Sequence, residues 1–233
     1  MIEVTKFEKL GRFQNDWLNA RHHFSFGSYY DPRRSGVGPL LVWNDDAIAP
    51  GTGFDLHGHR DMEIITYVRS GAITHKDHLG NEGRTEAGDV QVMTAGKGIM
   101  HAEFNREDEE TTLFQIWIQP EVANLTPRWD QRQFPKSDRS GSLVPLASGR
   151  AQHPDALKIH QDAAILGGTL TKGQSLSYDL GLDRQAYLVA ATGSVIVNGT
   201  TVQTRDGVTI TGEDRVTLEA LDESEILLAD LPA

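Results

Sequence analysis

The sequence predicts an all-β protein built as two tandem barrels, and three observations predict it. Short runs rich in Val, Ile, Thr, Tyr and Phe recur along the 233 residues, separated by 23 Gly and 9 Pro. That is the punctuation of many short strands joined by tight turns. Apolar residues at helical spacing are scarce. The rhythm of VRSGAITHKDHLGNEGRTEAGDVQVM in the first half also returns in the second as ATGSVIVNGTTVQTRDGVTI. Each reads strand, Gly turn, strand, a second turn built on Gly and Asp, strand. Identity between the halves is low, so rhythm alone points to duplication.

In chain order, the first strand expected is 40–43, the unbroken apolar run LLVW. Residues 62–69 follow as a β-branched run that ends at Ser70-Gly71, a tight turn into 72–75. Residues 90–94 start after Gly88-Asp89, and 113–118 close the first set. The segment 123–150 is polar, carries Pro127, Pro135 and Pro145 and shows little periodicity, so it reads as the connection between two β units. A boundary near residue 135 divides the chain into 1–135 and 136–233. Beyond it, 187–191 and 194–197 flank a Thr-Gly turn, 208–210 follow Asp206-Gly207, and 226–231 end the series.

Bulk chemistry excludes several classes. With 22 basic against 33 acidic residues the formal charge is −11, which repels nucleic-acid phosphate, and no direct nucleic-acid binding is expected. There is no cysteine, so disulfides and thiolate sites are absent and any metal must use nitrogen and oxygen ligands. No apolar run approaches the roughly 18 residues of a spanning helix. The start MIEVTKFEKLGRF has acidic residues among its apolar ones and lacks a basic start, so it does not read as a signal peptide, and a cytoplasmic location is the expectation.

Histidine is concentrated in the first half. The stretch GTGFDLHGHRDMEIITYVRSG holds His57, His59 and Glu63, and a later one holds Gly96, Gly98, His101, Glu103 and Asn105. Alternate residues of a strand share a face, so His57 projects with His59 and His101 with Glu103. Two such pairs on neighbouring strands can converge on one ion. Three imidazoles and one carboxylate leave coordination positions open, as a catalytic site needs. Any one His-x-His pair is commonly a solvated strand feature, and it is the second pair with its Gly-rich approach that shifts the balance. Glu63 competes for the carboxylate position, since it has the parity of His57 and His59. The other histidines carry less. His22 and His23 sit beside Phe24, Phe26, Tyr29 and Tyr30 as a packed or capping pair, or as cover for a barrel mouth. His75 and His78 fall in a charged hairpin and are expected to be solvated, and His153 and His160 lie outside any paired spacing. The second half has neither a His-x-His nor a strand histidine, so its barrel is expected to hold no metal.

The order Gly51, His57, His59, Glu63, with Gly71 one residue late, resembles the first motif of the cupins, the double-stranded β-helix or jelly-roll-like barrels. Gly88, Gly96, His101 and Asn105 resemble the second, with Thr94 where proline is usual. The runs HFSFGSYYDP, HGHRDMEIITYV, MTAGKGIMHAEF, QIWIQPE and TPRWDQRQF are similar to the pirin family, most of all its bacterial members described as quercetin 2,3-dioxygenases. Pirins are bicupins. The resemblance implies a metal-binding cupin at 1–135 and a degenerate cupin at 136–233, with one metal on His57, His59, His101 and Glu103, and it ranks Glu103 above Glu63.

What the resemblance implies about activity is a dioxygenase that cleaves flavonols such as quercetin with release of carbon monoxide. The metal would bind the substrate's 3-hydroxyl and Glu103 would accept its proton. Fe(II) is favoured, and Mn, Ni, Co, Cu or Zn would accept the same ligands. The partners implied are a small aromatic, flavonol-like substrate and dioxygen. The alternative is a redox-sensing, metal-binding regulator that binds a transcription-related protein partner without turnover. An aromatic-lined cavity beside the metal favours the enzyme, and a basic exposed strip around it favours the regulator. Two barrels in one chain already supply the burial that single cupins obtain by dimerising, so a monomer is expected.

Overall fold

A computed structural model describes all 233 residues as a nearly all-β molecule of four stacked sheets. Two seven-stranded sheets lie in the middle and two four-stranded sheets lie outside. The first central sheet runs, edge to edge, Arg128–Arg132, Val90–Thr94, Glu63–Ser70, Thr111–Ile118, Leu40–Ile48, Leu18–His22 and Gly11–Gln14. Its outer partner runs Gly53–His59, Ile99–Phe104, Ala72–Asp77 and Glu82–Glu86. Together they close the first barrel. The second central sheet contains Arg184–Thr192, Ser224–Pro232, Ala164–Leu170, Gly207–Thr211, Val144–Ser148 and the short Leu157–Lys158, and its outer partner contains Ser175–Asp179, Arg215–Ala220, Val195–Val197 and Thr200–Val202.

Every strand expected from sequence coincides with an observed one, with only Met62 and Ser194 falling just outside, because most belong to the central sheets, where both faces are buried and apolar runs are continuous. Along Glu63–Ser70, Ile65 and Tyr67 face the second barrel while Ile64 and Val68 face the first barrel's interior. The largest core, with Trp43, Tyr67, Phe114, Tyr187 and Leu227, lies between the two central sheets and joins the barrels. The second barrel's interior is filled by apolar side chains such as Leu166, Leu188, Val216 and Leu228. The first barrel's interior is apolar only at its ends, around Ile48 and Ile73 and around Met93 and Ile99. Polar side chains occupy the space between.

Polar contacts reinforce the joint. Arg139, 1% exposed, donates to Tyr67 and Glu225, and Asp45 accepts from Arg69 and Arg205.

Two features depart from the sequence reading. Residues 123–150 are more than a connection, since Arg128–Arg132 extends the first central sheet by pairing with Val90–Thr94 and Val144–Ser148 pairs into the second. Arg128–Arg132, at the sheet's edge and largely exposed, lacks the apolar run that makes a strand legible. The first strand, Ile2–Thr5, placed with 1–135 on sequence, pairs with Gly207–Thr211 and so completes the second barrel's sheet. No helix is long and apolar enough to cross a membrane.

Candidate metal centre

The site is built on the outer sheet of the first barrel. Gly53–His59 pairs antiparallel with Ile99–Phe104, which sets His57 opposite His101. At Gly53 a Cβ would fall 2.2 Å from the carbonyl oxygen of Glu103, so only glycine permits this approach beside the site. The rings of His57 and His101 lie 4.4 Å apart between centroids, those of His57 and His59 4.8 Å, and those of His59 and His101 5.0 Å. Their potential ligand atoms all fall within 4.8 Å of one another.

Two of the three facing imidazoles, His59 and His101, are held neutral. Burial, then the neighbouring imidazoles of His57 and His75, push His101 down to about 3, and burial with His101 and His57 pushes His59 down to about 4. Both therefore present lone pairs at neutral pH. The Nδ1 of His57 is engaged by the backbone oxygen of Asp55 at 2.6 Å. His101 Nε2 is buried and has no partner in the protein. An orphaned imidazole nitrogen beside two more imidazoles fits a divalent transition metal.

Glu103 enters the site differently from the expected four-ligand set. Its carboxylate groups with His101 and His75 rather than with His57 and His59. Glu103 keeps the strand face of His101, directly opposite His75, while the bulge that shifts the register lies in the Gly53–His59 strand between Phe54 and His57. Its two oxygens accept from the side-chain amides of Gln91 at 2.5 Å and Gln115 at 2.6 Å. Glu103 and the His57/His59 pair nevertheless line one cavity of about 410 Å³. Phe26, Phe54, Phe13 and Trp117 form its apolar wall, and Asn44, Asp46 and Gln115 its polar side.

Glu63 is placed apart from the imidazoles. Asp61 takes a left-handed conformation (φ 47°) in the turn that carries the chain from the outer sheet to the central one, so strand parity does not run through from His59. Glu63 consequently faces the second barrel, accepting from Thr94 Oγ1 at 2.8 Å and from His160 Nδ1 at 3.0 Å.

Models of two families match the chain: pirin over residues 4–118 and the quercetinase C-terminal cupin domain over residues 146–231. A pirin-like protein of Caulobacter vibrioides is 56% identical over 99% of this chain and 99% of its own length. The chain belongs to the pirin family. A quercetin 2,3-dioxygenase of Escherichia coli strain K12 is 39% identical over 100% of this pirin chain and 99% of its own length. Among solved structures, bacterial pirin YhhW from Escherichia coli in complex with nickel(II) superposes with a TM-score of 0.93 at 38% identity, covering 100% of this chain and 99% of that one.

Several residues of this pirin take places the sequence did not indicate. His75, expected to be solvated, is fully buried, because Ile73, His75 and Asp77 share the strand face that turns into the barrel. His78, at the turn beyond, is exposed as expected. The neighbours His22 and His23 separate: His22 lines the cavity and bonds Asn44 at 2.8 Å, while His23 is packed between the barrels against Tyr187. Asp46 was missed altogether. It is 3% exposed, lines the cavity and has one carboxylate oxygen without a partner. Burial, with the charges of Asp45 and Glu103, raises it well above the usual carboxylate range and so favours its protonated form. The alternation Asn44, Asp46, Ile48 within the strand was the only signal that could have found it.

Proposed function

We propose that this chain is a metal-dependent dioxygenase that cleaves flavonols such as quercetin with release of carbon monoxide, with one metal, Fe(II) by preference, on His57, His59, His101 and Glu103. The observation that carries the reading is the cavity of about 410 Å³ running from an aromatic wall to the imidazoles of His57 and His59 and to Glu103. That volume falls in the range of roughly 300–1,000 Å³ typical of small-molecule sites. Its lining matches a flat aromatic substrate bearing a few oxygens. The aromatic wall also favours an enzyme over a regulator that acts through a protein partner. The names of the Escherichia coli and other relatives point the same way.

When bound, the metal supplies a Lewis-acid centre with open positions for a substrate oxygen and dioxygen. Glu103 accepts the proton of the substrate's hydroxyl, and the amides of Gln91 and Gln115 hold its carboxylate in place. Asp46, whose protonated form burial favours, donates a hydrogen bond to a second substrate oxygen. Phe26, Phe54 and Trp117 pack on the rings and exclude water.

The test is loss of a flavonol's visible absorbance under air on addition of the purified Fe(II)-loaded protein, with His101→Ala as control. Turnover by the wild type and none by the variant supports the reading. If the two are alike with Fe(II) and with each other metal tried, the dioxygenase assignment falls.

A further inference from the structure

Behind the three imidazoles lies a fourth that the proposed reaction does not use. His75 is fully buried, with its Nδ1 3.3 Å from Nδ1 of His101 and its Nε2 3.1 Å from Oδ2 of Asp77. Asp77 is itself fixed. Its Oδ1 accepts from the backbone N–H groups of Leu79 at 2.9 Å and Asn81 at 3.0 Å, and its Oδ2 from the Asn81 side chain at 2.8 Å. Trp129 lies flat on the His75 ring, 4.8 Å between centroids at 9°. Gly83 makes room for that indole, since a Cβ there would fall 2.3 Å from it.

Proton placement follows from these contacts. A carboxylate only accepts, so the shared contact with Asp77 puts the His75 proton on Nε2 and leaves a lone pair on Nδ1. His101 can then meet that lone pair only by carrying its own proton on Nδ1. The remaining nitrogen of His101, Nε2, is left bare, and it is the buried atom with no protein partner. We propose that His75, held by Asp77 and Trp129, is a positioning residue that locks His101 in the tautomer and ring orientation presenting Nε2 to the metal. This rests on the metal reading above. A carboxylate that orients a ligand imidazole is a recurrent device around metals, and here an extra imidazole extends its reach. The same indole also supports the other side of the site: Trp129 Nε1 donates to Gln91 at 3.3 Å, and Gln91 donates to Glu103.

The test loads metal-free wild type, His75→Leu, His75→Asn and Asp77→Asn with Cu(II). Affinity is read by chelator competition and nitrogen coordination by the hyperfine pattern of the copper spectrum. His75→Leu removes the acceptor and is expected to weaken binding by about 10–100-fold. The amide oxygen of His75→Asn stands near the place of Nδ1 and should recover most of that loss. In Asp77→Asn the two backbone donors keep the oxygen on their side and turn the amide N–H towards His75, which reverses the relay, so binding should weaken as in His75→Leu. The number of coordinated nitrogens should be the same in wild type and His75→Leu. Wild-type affinity in His75→Leu overturns the inference, as does an Asn variant no better than Leu. One coordinated nitrogen fewer in His75→Leu would make His75 a ligand and also overturn it. A wild type that binds no metal would instead bring down the metal reading itself.

Discussion

The choice between Glu103 and Glu63 can be decided by a paired substitution. Both side chains are buried, at 3% and 0% exposure, and each accepts two side-chain hydrogen bonds shorter than 3.1 Å, so removing either should destabilise the fold. In Glu103→Ala the amides of Gln91 and Gln115 lose their acceptor inside the barrel. Each buried donor left unpaired costs about 1–3 kcal/mol, which puts the loss at about 2–5 kcal/mol once the cavity lets the amides partly rehydrate. In Glu63→Ala the orphaned groups are Thr94 and the partly exposed His160, so the loss should be smaller, about 1–3 kcal/mol. The metal separates them. Glu103 lies in the cavity with His57 and His59, whereas Glu63 faces the second barrel on the far side of the central sheet. Metal per chain, measured by elemental analysis after dialysis against a weak chelator, should fall at least tenfold for Glu103→Ala, a change of about 1.4 kcal/mol or more in binding. It should stay near wild type for Glu63→Ala, while urea unfolding of the metal-free proteins records both destabilisations. Equal metal loss in the two, or a larger loss in Glu63→Ala, would refute the placement of the carboxylate.

Two further outcomes follow from the electrostatics of the site. Since His59 and His101 are depressed to about 4 and about 3, their ring resonances in the metal-free protein should show no titration near pH 6.5. Their neutral forms contribute stability that is present above about pH 6.5 and lost as pH falls towards 4 and 3, because the unfolded chain takes up protons first; an NMR titration with midpoints near 6.5 would contradict this. Asp46 carries the opposite sign, since its raised value makes the folded state hold a proton that the unfolded state releases above about pH 4. Asp46→Asn should therefore melt higher than the wild type at pH 7, with the gain vanishing below about pH 4, and an unchanged or lower melting temperature at pH 7 would show that Asp46 is not strained in the cavity.

Strands of the central sheets were legible because the two barrels bury them on both sides. Runs such as IITYV and ILLADL need no alternation and stand out in the chain. Strands with a solvated or glycine-interrupted face, such as Arg128–Arg132 and Ala164–Leu170 with Gly167 and Gly168, did not. Arg128–Arg132 matters most, because it brings Trp129 beneath His75. The hairpin strand that carries His75 was expected, yet its charged neighbours Lys76 and Asp77 suggested solvent, and only the closing of the barrel shows that Asp77 turns inward with it.

By itself the sequence determined the all-β class, the two-barrel rhythm and the concentration of imidazoles at His57, His59 and His101. These follow from local period and local spacing, which a chain carries in one dimension. Tertiary structure alone decided that Glu63 turns away from the histidines, that Glu103 sits opposite His75 on two glutamine amides, and that Asp46 and His75 are buried beside them. Each of those outcomes depends on which sheet a strand joins and where a turn resets its parity. Both are properties of packing between segments far apart in the chain.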